Sequence, residues 1–150
     1  MGDLSTGTCI QCEVAQGARK PPGGLILETP LFVAHALLAP CSIEGWVVLA
    51  PRRHARWWWE LSEEESRELG PLARRILLAQ QRVLGAEHGY AFAIGDVLHH
   101  MHLHLVPRYP GTPKHLRGRG AFDARPDEML PEERVSAAVQ KLASGLQNDP

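Results

Sequence analysis

The segment that decides the fold is residues 98–107, Leu-His-His-Met-His-Leu-His-Leu-Val-Pro, which holds half of the chain's 8 histidines. Alternation of histidines with apolar residues over residues 99–106 predicts a β-strand. Side chains alternate between the two faces of a strand, so His100, His102 and His104 would share one face. The apolar residues between them would share the opposite face and point into the core.

Three imidazoles on one strand face suit a phosphate, a metal ion or both. A neutral imidazole is a good nucleophile at neutral pH when one ring nitrogen is free and an acceptor holds the other. Flanking histidines can bind phosphate oxygens or pass a proton to a leaving group. The alternatives are a solvent-exposed polar face and a purely structural metal site, although exposed faces more often use Lys, Glu and Thr.

The composition is that of one ordinary globular domain. The chain has 150 residues, of which 44% are hydrophobic and 22% charged, with a formal net charge of −1. A net charge near zero gives no support to bulk binding of nucleic acid or an anionic membrane, so we expect neither partner. No run approaches the roughly 20 apolar residues that span a bilayer, and residues 1–8 lack a signal-peptide pattern. The sequence therefore predicts one cytoplasmic domain over residues 1–150.

The element pattern predicts an α+β fold, with an antiparallel β-sheet meander, one long helix and a C-terminal helix. The long helix begins at Ser62, where Ser62 and Glu65 fit a capping box, and ends near Gly85. Gly70-Pro71 should kink or divide it. Besides the histidine strand, predicted strands cover residues 25–28, 31–38, 46–50 and 90–94. Residues 107–126 are predicted as a loop, and residues 131–147, within the C-terminal segment 127–150, as an amphipathic helix.

Residues 1–24 are interpreted as a loosely ordered arm unless a metal holds them. Cys9 and Cys12 form a C-x-x-C in this arm, and three cysteines in all do not suit a disulfide scaffold. Metal or redox chemistry is the usual meaning of this spacing in a chain without an export signal. A redox pair needs a helix start after a strand, a context that the sequence does not show here. Two surface thiols without a role are the remaining alternative.

Residues 100–106 resemble the H-φ-H-φ-H-φ-φ signature of the histidine-triad superfamily, and Pro107-Arg108-Tyr109 resembles its continuation in bacterial members. Residues 45–54, Gly-Trp-Val-Val-Leu-Ala-Pro-Arg-Arg-His, resemble the family's strand ending in Pro-Lys/Arg-x-His. Residues 60–65 resemble its helix start. The resemblance runs from about residue 9 to about residue 118. The most similar members are bacterial ones described as diadenosine polyphosphate hydrolase-like.

This resemblance implies a nucleotide hydrolase or transferase whose partner is a small nucleotide. His102 would attack the α-phosphorus of a diadenosine polyphosphate, a nucleoside phosphoramidate or a similar substrate and form a covalent nucleotidyl-histidine. His104 would contact the phosphate, and His100 would orient the strand or assist. Asp96 lies near the position at which the family often has a glutamine that helps with the phosphate or the leaving group. Val97, the next residue, is a further expected substrate contact. Family members are often dimers, so a homodimer is expected.

Two features depart from the family pattern. Leu38 occupies the position where the family often has an acidic residue that binds the ribose hydroxyls, and the Asn-x-Gly loop before the last strand is missing. A nucleotide-binding module without efficient turnover and a zinc-stabilised interaction module are therefore the alternative functions. Residues 37–39 are interpreted either as an apolar base pocket or as core strand.

A structural zinc site takes four nitrogen or sulfur ligands. The resemblance suggests His54 and His100 as the partners of Cys9 and Cys12. His99 points away from the triad face by the pleat, which favours His100.

Residues 57–59, Trp-Trp-Trp, are interpreted as part core and part surface or dimer contact, with a base-stacking platform as the alternative. One or two basic residues of the loop are candidates to reach substrate phosphates: Arg108, Lys114, Arg117 and Arg119.

Overall fold

The computed structural model describes residues 9–149 and contains a five-stranded antiparallel sheet with helices packed against it. Residues 1–8 of the predicted arm and residue 150 of the C-terminal segment lie outside the described residues. The strands are β1 (Leu25–Glu28), β2 (Phe32–Ala36), β3 (Val47–Pro51), β4 (His88–Phe92) and β5 (Leu103–Arg108). The helices are α1 (Ile10–Ala15), α2 (Glu63–Leu84) and α3 (Glu132–Gln147). The α+β class and the antiparallel sheet are confirmed.

The strand order β1-β2-β3-β5-β4 places the histidine strand inside the sheet. The chain passes from β3 through α2 to the edge strand β4 and then returns as β5 between them, so the order departs from a simple meander. Strand alternation gives the sheet two different faces. The face toward α2 and α3 carries apolar residues such as Phe32, Leu49 and Leu105. The other face carries His35, Val48 and His104, which lie in one row across β2, β3 and β5.

The start and end of α2 agree with the sequence signals. The Ser62 hydroxyl accepts a hydrogen bond from the Glu65 N–H at 3.1 Å, and the Ser62 N–H donates to the Glu65 carboxylate at 2.7 Å. Gly85 ends the helix in the left-handed region, with φ of +79°. The predicted division at Pro71 is wrong, because the helix runs unbroken from Glu63 to Leu84. Pro71 is exposed, and the residues that pack on the sheet lie on the opposite side of the helix.

The histidine strand begins later than predicted. β5 starts at Leu103, whereas the sequence placed a strand from residue 99. The Met101 N–H donates to the Ala55 carbonyl at 2.7 Å, so this segment bonds to the chain after β3 and leaves the regular ladder. The prediction that one strand pleat aligns all three histidines is therefore wrong. His104 lies in β5, and His100 and His102 precede it.

The N-terminal arm is also more ordered than predicted. Residues 10–15 form α1, which begins directly after Cys9, so a helix that the sequence analysis did not predict starts at the cysteine pair. The Arg52 guanidinium donates to the Ala15 carbonyl at 3.0 Å and ties the end of α1 to the sheet. The predicted loop 107–126 starts with the end of β5 and continues as short 3-10 turns at Lys114–Leu116 and Gly118–Asp123. Among residues 9–149, no helix is long and apolar enough to cross a membrane.

Replacing Ser62 with alanine should lower the free energy of unfolding by about 1 kcal/mol, the usual effect of losing an N-cap side chain. Urea unfolding followed by circular dichroism measures the change. Ser66→Ala is the matched control, because Ser66 is exposed one turn later on the same helix. We expect Ser66→Ala to leave stability within the range of ordinary surface substitutions. An equal loss in both variants would contradict the capping role of Ser62.

Candidate active site

A pocket of about 580 Å³ lies against the sheet face opposite α2 and α3. Its walls come from α1, the segment after β2, the loop between β4 and β5, and the segment before α3. His102 and His104 lie in its floor, and each is 8% exposed. The rest of the lining is mainly apolar and includes Ile10, Leu37, Leu38, Ala39, Trp46, Val48, Phe122 and Met129. The pocket therefore places two imidazoles beside a surface suited to an apolar ring.

A chain of hydrogen bonds fixes the proton positions on His102 and His104. The Trp46 indole can only donate, and its Nε1 lies 3.1 Å from His104 Nδ1, so Nδ1 accepts and Nε2 carries the proton. His104 Nε2 lies 3.1 Å from His102 Nε2 and donates to it. His102 Nδ1 lies 2.6 Å from the His100 carbonyl oxygen and donates there. The hydrogen bonds at both ends of this network thus assign the lone pair of His102 to Nε2, where it accepts from His104 Nε2–H in the structure.

The first histidine of the motif, His100, makes different contacts. His100 is fully buried, and its Nε2 donates to the Pro51 carbonyl oxygen at 2.8 Å. Its Nδ1 therefore keeps a lone pair, which points at the Cys9 and Cys12 sulfurs, 3.4 Å and 3.6 Å away. The orientation of the ring turns His100 away from the pocket.

Four side chains converge beside the pocket. One ligand-type atom from each of Cys9, Cys12, His54 and His100 lies within 4.8 Å of the other three. The Cys12 sulfur lies 3.3 Å from His54 Nδ1, and the His54 and His100 rings meet edge to face. The short helix α1 brings the two sulfurs together, while the segment after β3 supplies His54. The four residues named from the family resemblance therefore lie together in the structure.

Burial controls the charge of the histidines in and around the pocket floor. It lowers the pKa of His104 to about 4, and the neighbouring His102 ring adds to this effect. Burial likewise lowers the pKa of His100 to about 4, with smaller effects from His54 and His102. The pKa of His35 is also lowered, first by burial. These imidazoles are neutral at neutral pH, so their ring nitrogens are free to act as ligands or acceptors.

The sequence analysis missed a buried polar pair under the pocket, His35 and Gln11. The His35 Nδ1 donates to the Ala36 carbonyl oxygen at 2.7 Å, and its Nε2 accepts from the Gln11 amide at 2.9 Å. The pair joins α1 to β2 beneath the pocket. A histidine within the apolar run 31–38 was the available signal for His35. Gln11 gave none, because its burial depends on the helix that the cysteine pair starts.

The remaining predicted substrate contacts line the pocket. Leu38 is half-buried in the wall after β2, whereas Asp96 and Val97 are exposed in the loop before the histidines. Val97 is 97% exposed and carries no group that can hydrogen-bond a phosphate. Ile94 and Leu98 complete this wall.

The tryptophan run and the loop arginines lie elsewhere. All three tryptophans are exposed, Trp59 to 81%, and none belongs to the pocket lining, so the expected core contribution is wrong. Trp57 packs instead on Trp59 and His99. Arg108 pairs with Glu87, and neither it nor another lysine or arginine of residues 9–149 lines the pocket.

Known proteins of similar sequence cover most of this chain. No family model matches the sequence. The chain is 27% identical over 144 residues to the adenosine 5'-monophosphoramidase of Schizosaccharomyces pombe, covering 93% of this chain and 98% of that protein. A histidine-triad-like protein of Saccharolobus solfataricus is 26% identical over 110 residues, 70% of this chain and 77% of that one.

Solved structures share the fold. A hypothetical histidine triad nucleotide-binding protein from Sulfolobus tokodaii matches with a TM-score of 0.75 and 18% identity over 93% of both chains. A zinc-bound histidine triad family protein from Mycobacterium smegmatis matches with a TM-score of 0.73 and 19% identity over 95% of this chain and 96% of that one. The structure combines an α+β fold with hydrogen-bonded histidines in a pocket large enough for a nucleotide. In its histidine motif and its fold, the chain is similar to proteins of the histidine-triad superfamily.

The lowered pKa of His104 predicts a pH dependence of stability. The unfolded chain takes up a proton near the usual pKa of 6.5, whereas folded His104 does so only near 4. The stabilising contribution is therefore complete above about 6.5 and is lost as the pH falls toward 4. His104→Asn should reduce the slope of unfolding free energy against pH in this window, by up to about 1.4 kcal/mol per pH unit. Urea titrations across the window measure the slope, with the exposed His99→Asn as control, and an unchanged slope in His104→Asn would contradict the assignment.

Proposed function

We propose that the protein cleaves a nucleotide at its α-phosphate through a covalent nucleotidyl-histidine on His102. The observation that carries this proposal is the hydrogen-bond chain that keeps a lone pair on Nε2 of His102, a residue that lines the pocket. An enzyme of the histidine-triad type is also what the monophosphoramidase relative supports. Candidate substrates are nucleoside phosphoramidates, diadenosine polyphosphates and similar nucleotides, and the finer placement near the bacterial diadenosine polyphosphate branch is part of this proposal.

The first step uses the two imidazoles in the pocket floor. The His102 Nε2 lone pair forms a bond to phosphorus while the bond to the leaving group breaks and the leaving atom keeps its electron pair. The His104 Nε2–H, which bonds His102 in the structure, is placed to donate to a phosphate oxygen instead. The His100 carbonyl oxygen still accepts from His102 Nδ1–H and stabilises the positive ring that forms.

Water then attacks the phosphorus of the nucleotidyl-histidine and releases the nucleoside monophosphate. For a phosphoramidate, the sum is one water consumed and one monophosphate and one amine produced. The nucleoside fits the apolar side of the pocket, where Ile10, Leu37 and Leu38 form a wall beside β2. Aromatic bases gain from burial against such surfaces. Leu38 carries no carboxylate for the ribose hydroxyls, so this contact depends on other groups.

We propose zinc as the ion of the four-residue cluster. A tetrahedral zinc ion about 2.3 Å from sulfur and about 2.0 Å from nitrogen separates such ligands by about 3.5 Å. The corresponding separations here are 3.3, 3.4 and 3.6 Å. Two thiolates and two imidazoles are a usual structural zinc set, and the Pro51 carbonyl oxygen holds the far side of the His100 ring, as such sites require. The ion would stabilise the position of α1, and His100 would take no part in proton transfer.

We propose that the protein acts on small nucleotides rather than on nucleic acid. The single domain over residues 1–150 and the cytoplasmic location remain predictions from the sequence. A homodimer is also a proposal. β4 lies at the edge of the sheet with exposed residues along it, and an open strand edge can pair with a second copy.

His102→Asn should abolish turnover, because an amide is not a nucleophile toward phosphorus. The loss should exceed about 1,000-fold, in line with removal of a covalent nucleophile. The assay is release of nucleoside monophosphate from an adenosine phosphoramidate, a diadenosine polyphosphate and an adenylyl sulfate. His99→Asn, in the exposed neighbouring histidine, should keep wild-type rates. Wild-type turnover in His102→Asn would refute the mechanism, and saturable binding of all three substrates without turnover by wild type would indicate a binding module.

Zinc content tests the ligand set. The purified protein should hold about one zinc per chain, and Cys9→Ser should lose it, because a hydroxyl is a poor substitute for thiolate. His99→Ala should keep the metal, and so should Cys41→Ser, since Cys41 is buried apart from the cluster and donates to the Ile43 carbonyl. Elemental analysis by mass spectrometry gives the stoichiometry. Zinc retained in Cys9→Ser, or lost in His99→Ala alone, would overturn the assignment.

A further inference from the structure

The active-site pocket has an unusual charge balance for a site that handles phosphates. Among the described residues that line it, Asp96 supplies the single carboxylate, and lysine and arginine supply no side chain. Residues 1–8 and 150, which the structure does not describe, contain neither lysine nor arginine. The imidazoles and hydrogen-bond donors of the pocket can bind one phosphate. No cationic side chain in the described lining offsets the negative charge of a longer polyphosphate chain.

The position of Asp96 assigns it to one end of the pocket. The sheet order places β2 and β4 on opposite sides of β3 and β5, and His104 lies in β5 between them. The apolar wall at Leu37 and Leu38 follows β2, whereas Asp96 belongs to the loop that follows β4. When the nucleoside lies against the apolar wall and its α-phosphate lies at His102, the leaving group extends toward Asp96.

The Asp96 carboxylate is free to meet that group. It is exposed and lines the pocket, and no side-chain hydrogen bond or ion pair among residues 9–149 includes it. Two arginines of the segment after β5 do not compensate it: Arg125 pairs with Asp127 and Glu128, and Arg119 lies outside the lining.

We propose that Asp96 is a specificity-determining residue that selects substrates whose leaving group is a cationic amine and disfavours anionic leaving groups. This inference rests on the proposed nucleotidyl-histidine chemistry and adds the class of substrate. In the step concerned, the P–N bond breaks as the His102–P bond forms. The nitrogen keeps the bonding electron pair and takes a proton from water at the open pocket mouth. A departing amine that bears a second, protonated amino group is attracted by Asp96, whereas a polyphosphate or carboxylate is repelled.

Three adenosine phosphoramidates of similar size separate the effect of charge from that of shape. Their leaving amines are ethylenediamine, propylamine and glycine, which carry a cationic, a neutral and an anionic end. We expect kcat/KM of the wild type to fall in that order, by about fivefold per step, the effect of one exposed charge pair. Added salt should compress the order, because exposed charges are screened.

Asp96→Asn should bring the three kcat/KM values together and raise kcat/KM for a diadenosine polyphosphate by about fivefold. Asp127→Asn removes an exposed carboxylate outside the lining and should keep the wild-type order. Turnover of all three substrates with no order of charge, or an order that survives in Asp96→Asn, would overturn the role of Asp96 and leave the proposed function intact. Absence of turnover with every substrate would instead refute the proposed function.

Discussion

The site depends on one hydrogen bond, from His102 Nδ1–H to the carbonyl oxygen of His100 two residues earlier. A strand in a regular ladder would commit that carbonyl to a neighbouring strand and turn it away from its own side chains. Here the chain joins the ladder only at Leu103, so the carbonyl is free to hold the ring. With Nδ1 fixed as donor and the Trp46 indole fixed as donor at the other end, His102 Nε2 must keep its lone pair. The proposed nucleophile is thus oriented by a backbone carbonyl, with no nearby carboxylate required.

The cluster of Cys9, Cys12, His54 and His100 and the pocket share one short helix. Cys9 and Cys12 face the cluster, whereas Ile10 and Gln11 between them face the pocket and its floor. A helix of six residues is too short to be stable alone, so its position depends on what it contacts. The His35–Gln11 pair and the Arg52 contact hold it from the sheet, and a bound ion would hold its first turn. A metal ion bound by the cluster would therefore be linked through α1 to the shape of the pocket wall.

Much of this arrangement follows from the sequence, because the signals concerned are local. The capping box at Ser62, the left-handed stop at Gly85 and the histidine alternation each depend on neighbours within a few residues. The late start of β5 could not be predicted, since it depends on a hydrogen bond from Met101 to Ala55, far away in sequence. α1 escaped prediction because its six residues lack the repeated apolar spacing of a longer helix. For the tryptophans of residues 57–59 the sequence-based expectation was wrong. Their apolar character favoured partial burial, whereas the packing leaves all three exposed.

The central claim is that His102 presents an unprotonated Nε2 to the pocket because its Nδ1 donates to the His100 carbonyl. Nitrogen-15 NMR of protein labelled at its histidine side chains, with His102 and His104 assigned, reads the tautomer of each ring directly. The account predicts that the proton of His102 is on Nδ1 and that of His104 on Nε2, in the substrate-free protein above the range in which histidines titrate. A His102 ring with its proton on Nε2 would contradict the account, because the atom proposed to attack phosphorus would have no lone pair.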